Sequence, residues 1–515
     1  MTSTFHGLET ARRGMATQQA ALQTTGHNIS NAETDGYSRQ RVNFAQTEPY
    51  PDAARNAPQM PGQIGTGVQA DFVQRIRTDY LDQQYRGENS QSSYWETKHS
   101  SLERIEDVMN EPSDDGLSSQ MNEFYNALQD LSANPQDSGA RSVVKEQGVA
   151  LADTFNYMDD TLKTNRQDLK NQITVNENEI NSLMSNINSV NEQIGRVEPN
   201  GQMPNDHYDE RDRLLDDLSE KVNIEVENLE PEGLAEDAAD GKVNVYLLDG
   251  EGNRMTDSDD EDIKLIDGES MDYREFEISE ENDDTVEIND SSNINLSWAK
   301  GESDDPDNVK ADLTNSPGSL NAMLEDYGVN NDSEVSGTYP EVMQDLDNLA
   351  SDFAGRFNEV HQSGRGLNEI ENENNEDNDF FSFNADGAAG SIQVDEDIRD
   401  DPDNIAAAPA GGAAGDGSNA TALSNVRDED FNGDYQSMIG ELAVQTSEAE
   451  QKMNNTASLR DNVDSRRQEV SSVSLDEEMT NMIQYQHAYN AAARNITNVD
   501  EMLDRIINNM GLVGR

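Results

Sequence analysis

The sequence predicts a mainly α-helical, elongated multidomain chain with a small acidic β domain inserted into it. Three observations carry that fold class. At the C-terminal end, Leu475, Met479, Met482, Gln486, Tyr489, Ala493, Ile496, Val499, Leu503, Ile506 and Met510 follow one another by fours and threes, with one extra three near Val499, the spacing of a coiled-coil seam. In the first half, an apolar stripe from Leu151 to Val197 continues one helix over residues 136–197, about sixty residues or ~90 Å at 1.5 Å per residue. Runs of β-branched or alternating residues are confined to 222–226, 243–247, 276–278 and 286–288, separated by Gly and Asp/Asn clusters.

In chain order, Leu8, Met15, Leu22 and Ile29 repeat every seven residues, so 4–32 reads as one helix. Its second row, Thr4, Ala11, Gln18, Thr25 and Ala32, is small or polar, and Gly14 and Gly26 each cost a helix interior about 1 kcal/mol relative to Ala. Such a helix is expected to be marginal without neighbours. Residues 34–36 signal a turn, and Pro49, Pro51, Pro58 and Pro61 exclude helix, leaving an extended connector before a strand near 68–76. Helical periodicity returns at Asp79 and stops at Pro112, a second helix spans 117–131, and the long one begins near Gln136. A short helix over 209–222 returns the chain to the β segment. Helix resumes at Leu320 and carries Leu346, Leu349, Phe353, Phe357 and Val360. A Gly/Ala/Asp-rich stretch, 384–419, interrupts it, with 411–417 expected to be a flexible connector, and helix 431–470 leads into the final seam. The helical layers are therefore discontinuous. Residues 1–45 with 471–515 form a terminal coiled-coil assembly domain, 46–222 with 316–470 a long-helix bundle, and 223–315 an acidic β-rich outer domain.

With 33% hydrophobic residues and a mean hydropathy of −0.88, the 515 residues are expected to build only modest cores. A net charge of −68 repels nucleic acid and anionic membrane, so neither is an expected partner. The charge is uneven: residues 1–45 hold three acids and four bases, whereas 227–315 hold twenty-nine acids and six bases. Such an insert is expected to project into solvent, to be dispensable for assembly, and to suit a saline surrounding. No apolar run approaches the length of a membrane span, and nothing at the N-terminus reads as a cleaved signal. The absence of cysteine removes disulfides, thiolate metal sites and thiol nucleophiles, and the six histidines show no paired metal spacing. Residues 249–253 imitate the start of a calcium loop, but Arg254 stands where Gly is needed and Asp260 where a bidentate Glu is needed. No catalytic, metal or cofactor residue is therefore expected, and the chain is read as a non-enzyme.

Longer motifs add a resemblance. GLETARR at 7–13 and NISNAETDGYSRQRV at 28–42 resemble the N-terminal signature of the bacterial flagellar rod, hook and hook-associated axial proteins. VSLDEEM at 473–479, YQHAYNAAAR at 485–494 and VDEML at 499–503 are similar to the FlgK-type hook-associated branch of that family. GSL at 318–320, FNEVHQSG at 357–364, Phe380-Phe381 and GDGSNA at 415–420 follow in that family's order, whereas 227–315 match nothing. The resemblance implies a structural junction subunit that polymerises as a ring on the distal hook end and adapts it to the next junction protein and the filament. Implied partners are further copies of itself, hook protein, the next hook-associated junction protein and an FlgN-like export chaperone. The implied location is extracellular, at the hook–filament junction, after export by the flagellar type III system without a cleaved signal peptide. Leu8, Met15, Leu22, Asn28, Ile29, Asn31, Thr34, Gly36 and Tyr37 are the expected N-terminal assembly residues. Leu475, Glu478, Met479, Met482, Tyr489, Ala492, Arg494, Met502, Leu503 and Ile506 are the expected assembly and chaperone residues at the other end. Two alternatives stand beside this reading. A hook or distal rod subunit would share 28–37 but not the 475–494 pattern or the long helix, and an extracellular calcium-dependent adhesin would use the acidic domain.

Overall fold

The computed structural model describes residues 4–51, 62–109, 116–257, 260–278, 294–300, 309–313, 315–331, 334–372, 378–385, 387–426 and 431–509. Its helices are α1 (Thr4–Ser30), α2 (Asp79–Met109), α3 (Leu117–Ala133), α4 (Ser138–Val197), α5 (Asn205–Lys221), α6 (Ser319–Tyr327), α7 (Thr338–Gln362), α8 (Leu367–Asn372), α9 (Glu396–Asp400), α10 (Ser418–Asn425), α11 (Phe431–Ser471) and α12 (Leu475–Asn509). An antiparallel hairpin of β1 (Gln40–Gln46) and β2 (Val68–Arg75) follows α1. Between α5 and α6 lies a six-stranded antiparallel meander: β3 (Ile224–Asn228), β4 (Val243–Leu247), β5 (Lys264–Asp267), β6 (Asp272–Glu277), β7 (Ile294–Trp298) and β8 (Val309–Ala311), paired in that order.

The spine is α4. Asp137 caps its start by accepting from Gly139 N at 2.8 Å, and Pro199 with left-handed Gly201 ends its course. Its stripe serves two neighbourhoods within one continuous core. Val144, Leu151, Phe155, Met158 and Leu162 are buried with the helical bundle, and Ile173, Ile180, Met184 and Ile187 continue into the sheet. Phe124 of α3, Phe353 and Phe357 of α7, and Phe380 and Phe381 form an aromatic cluster, with Phe380 and Phe381 only 4.8 Å apart between ring centroids. Gly148 admits it, since a Cβ there would stand 2.8 Å from the Phe380 ring.

The meander hangs on the same helix. Asn181 accepts from Phe276 N at 2.8 Å and donates to Phe276 O at 3.0 Å. Asn191 accepts from Val243 N at 3.2 Å and donates to Val243 O at 3.0 Å, and Asn188 donates to Met271 O at 3.2 Å. Every residue of β4 is buried. The acidic segment was expected to be a solvent-projecting appendage. Its sheet instead closes the apolar face of α4 and shares its core, because six short strands need a second apolar layer that a segment this acidic does not supply. Strands near 222–226, 243–247 and 276–278 were anticipated, while β5 and β8 are too short to signal themselves and the alternation of Ile294, Leu296 and Trp298 in β7 was passed over; residues 286–288 lie outside the described residues.

The Gly/Ala/Asp-rich stretch also differs from expectation. Ala388, Ala389, Ile392, Val394, Ile398 and Ile405 through Ala408 are buried, so the stretch is a packed cap on the bundle. Arg141 of α4, 1% exposed, donates to the carbonyls of Pro135 at 2.9 Å and Ile405 at 2.7 Å and reaches those of Pro402 and Asp403. Burial lowers its pKa to about 10, against the pull of Asp403 and Asp401. Alanine bends no more readily than it packs, and a run of small residues lets backbone lie close on a helix.

Candidate assembly interface and its polar joint

The two chain ends meet. Helices α1 and α12 run antiparallel: Gly7 lies against Val499 at one end, with a Cβ there 3.9 Å from Val499 Cγ2, while Arg39, just beyond α1, binds Glu477 and Glu478 at the other. Leu8, Met15, Leu22 and Ile29 are half-buried on α1, and Ala11, Thr17, Ala21, Thr25 and Asn28 are buried. The β1–β2 hairpin covers α1 as well. Thr17 donates to Val68 O at 3.2 Å and Thr10 to Thr66 O at 3.4 Å.

On α12 the inward rows are Met482, Tyr489, Ile496 and Leu503, all half-buried, and Glu478, Tyr485, Ala492 and Val499. The first row is the expected one; the second lies one residue earlier than Met479, Gln486 and Ala493. The hairpin causes the shift, because Phe44 packs edge-on against Tyr485 at 6.1 Å and Arg39 bonds the almost fully buried Glu478 at 2.9 Å. Met479 is consequently exposed (56%), as is Ile483 one turn on (53%); Leu475 in the first turn of α12 and Met502 near its end are about half exposed (48% and 49%), and Arg494 faces solvent. The Ile506 side chain lies outside the described residues.

The polar residues of the N-terminal signature are used within the chain. Asn28, 1% exposed, donates to Gln40 O at 2.8 Å and accepts from Gln40 N at 3.0 Å and from the Tyr37 hydroxyl at 2.8 Å. His27 Nδ1 lies 3.0 Å from that hydroxyl, whose single proton is on Asn28, so the imidazole donates. Gly36 has φ +76°, a left-handed turn that brings Tyr37 back over Asn28. Asn31 bonds His27 O at 3.0 Å and Thr34 Oγ1 at 3.4 Å, and Thr34 and Gly36 are exposed.

Where hairpin and rod meet, the contacts are charged. Arg75 Nη1 bonds both Asp209 and Asp212, each at 2.8 Å, and the other arm of the fork, Nη2, reaches Asp240. Arg77 holds Asp82 at 2.8 Å, Arg86 holds Asp216 at 2.9 Å, and both also reach Asp212, at 3.4 and 3.3 Å. Arg467 of α11 binds Asp216 at 2.5 Å. Burial would raise the Asp212 carboxyl, but Arg77, Arg75, Arg86 and Arg211 outweigh it and hold it far below the usual carboxylate range. The sequence reading singled out none of these residues, because acids are expected at the surface of so acidic a chain and their spacing is not one that an apolar periodicity reveals. The calcium-like loop is self-satisfied: Asp249 accepts from Glu251 N at 2.8 Å and Asn253 N at 2.9 Å, and Arg254 folds back over the Tyr246 ring at 3.7 Å.

Comparison with known proteins places this architecture. The flagellar hook-associated protein FlgK helical domain matches residues 102–381, the C-terminal domain of the flagellar basal body rod FlgEFG proteins matches 465–510, and the flagella basal body rod family matches 8–37. Flagellar hook-associated protein 1 of Bacillus subtilis (strain 168) is 41% identical over 535 residues, covering 100% of each chain. The chain belongs to the FlgK family of flagellar hook-associated proteins. It is also 31% identical over 218 residues to flagellar hook-associated protein 1 of Salmonella typhimurium, covering 42% of this chain and 38% of that one. The solved flagellar hook junction protein FlgK of Burkholderia pseudomallei matches with a TM-score of 0.44 at 18% identity, over 59% of this chain and 47% of that chain. The terminal matches are to rod families and the central one is to FlgK, so α1 and α12 are the parts this FlgK-family chain has in common with other axial proteins. It is a flagellar structural component of the hook–filament junction.

Proposed function

We propose that this FlgK-family chain polymerises through its terminal helix pair as a ring on the distal end of the hook and passes a mechanical connection to the next junction protein and the filament. The observation that carries the reading is the exposed side of α12: Leu475, Met479 and Ile483, spaced four residues apart on one flank, stay about half exposed beside a helix whose other side is already packed on α1. An apolar stripe left open on a packed helix has association with a neighbour as its outlet. Residues 1–45 with 471–515 act as the assembly domain, and 46–222 with 316–470 as a rod bearing the acidic sheet of 223–315. The same stripe suits an FlgN-like chaperone before type III export, when a free apolar face would otherwise aggregate. The chain works by geometry and association energy, without catalytic turnover. Met479→Asp and Ile483→Asp test this in the full chain. Both sites are solvent-facing, so melting is expected to stay within about 0.5 kcal/mol of the parent, while capping of isolated hooks is lost, since a lone carboxylate cannot be buried unpaired. Normal capping by both variants would overturn the proposal.

A further inference from the structure

Beside the apolar row of Tyr208, Leu215 and Leu218, α5 buries a second row that is polar at helical spacing. Asn205, Asp209, Asp212 and Asp216 recur at steps of four, three and four, and Asn205, Asp209 and Asp212 are buried. A bundle helix ordinarily turns apolar residues inward at these steps. Here each side chain meets the segments that join the terminal helices to the rod. Asn205 donates to Val73 O at 2.9 Å, Asp209 accepts from Ser38 N at 3.1 Å and from Arg75 at 2.8 Å, and Asp212 collects Arg75, Arg77 and Arg86. Ser38 belongs to the signature segment, Arg75 ends β2, and Arg77 lies in the link to α2. Three separate points along the segments between the terminal helices and the rod are thus referred to one helix face. On the side of the connecting segments apolar burial is sparse, since among the described residues the buried apolar set skips from Val42 to Leu102, and Arg75 meets α5 also through the Tyr208 ring, 4.9 Å from its centroid.

A joint of this kind gains little stability over an apolar one of the same volume, because burying its charges offsets most of their attraction. It does gain direction. Apolar surfaces slide over one another, whereas a guanidinium fork on two carboxylates is satisfied at one orientation.

We propose that Asp209 and Asp212 of α5 are positioning residues for assembly: with Arg75 and Arg77 they fix the angle at which the terminal helix pair leaves the rod, and so the direction in which it meets the next copy. The proposal rests on the terminal pair being the assembly surface. The chain has no cysteine, so Ser447→Cys on α11 and Asn490→Cys on α12, both exposed, give a clean pair for spin labels in the full chain. The parent is expected to show one narrow distance distribution. Asp209→Asn and Arg75→Lys keep shape or charge but lose the fork, and are expected to broaden the distribution at least twofold and to cut hook capping at least tenfold with helix content unchanged. Asp212→Asn should act in the same direction; should it fail to fold, the other two variants still decide. Distributions that stay narrow in both Asp209→Asn and Arg75→Lys overturn the proposal, as does a broadened joint that caps hooks normally. Met479→Asp measured alongside separates the two readings, since it leaves the distance unchanged and reports only on the exposed stripe.

Discussion

Asn358 offers the sharpest test of how the cap is held. It lies in α7, 8% exposed, and its amide is spent entirely on the backbone of the Phe380-Phe381 segment: Oδ1 accepts from Phe380 N at 2.9 Å and Phe381 N at 3.0 Å, and Nδ2 donates to Phe381 O at 2.6 Å. Asn358→Ala leaves three buried backbone groups without partners. Each such group costs about 1–3 kcal/mol, and partial relaxation of the loop brings the expected loss to roughly 3–6 kcal/mol. The gain in helix propensity, about 0.7 kcal/mol, is too small to hide it. Urea unfolding followed by far-ultraviolet circular dichroism measures the loss. Amide exchange at Phe380 and Phe381 reads the cap directly, whether or not the long rod unfolds in one step. A loss below about 1 kcal/mol, with both amides still protected, would refute the reasoning, because the backbone would then have other acceptors and donors within reach.

Two further outcomes follow from the same structure. His361 is buried, with Nδ1 donating to Asn378 O at 2.8 Å and Nε2 accepting from Ala406 N at 3.0 Å, so burial lowers its pKa despite the upward pull of Asn378 O, Glu369 and Asp379, with Arg141 adding to the lowering. The folded chain then binds fewer protons than the unfolded one between the depressed value and the ordinary ~6.5; stability is full above that window and falls as pH drops through it, by up to about 1.4 kcal/mol per pH unit. His361→Gln should flatten this slope in melts between pH 5 and 7, and an unchanged slope would assign it to other groups. Replacing residues 230–312 with a Gly/Ser linker should uncover Ile180, Met184 and Ile187, each fully buried, and lower stability by on the order of 5 kcal/mol. A variant melting like the parent would mean that the sheet contributes nothing to the rod.

How much of this was legible in the sequence depends on which period a residue obeys. The long helices were readable because their stripes are apolar and sustained; α2, α3, α4, α11 and α12 lie within a few residues of where periodicity and prolines put them, whereas the single helix expected from Leu320 is two, α6 and α7, with Gly328 and Gly337 marking the break between them. The sheet was half readable, since β3 and β4 carry β-branched residues and β6 overlaps the Phe276-Glu277-Ile278 run, whereas β5 and β8 are only four and three residues long and the alternation of Ile294, Leu296 and Trp298 in β7 was passed over. The second row of α12 was misplaced by one residue because periodicity assumes a single partner helix, and here a hairpin shares the groove. The joint was overlooked for a different reason. Its acids on α5 keep the same four-three-four spacing as a core stripe, and the hydrophobic pattern that reveals cores is blind to one made of aspartate. In a chain with a net charge of −68, acidic residues are expected on the surface, so those that are buried at helical spacing against arginine are the informative ones. Desolvating Asp209 and Asp212 costs free energy that an apolar stripe would not, and the surrounding arginines, Arg86 and Arg211 of the rod among them, offset it at Asp212. Such a balance suits a joint held for its orientation more than for its strength, because the proposed positioning role needs the terminal helices at a defined angle before it needs them tightly bound.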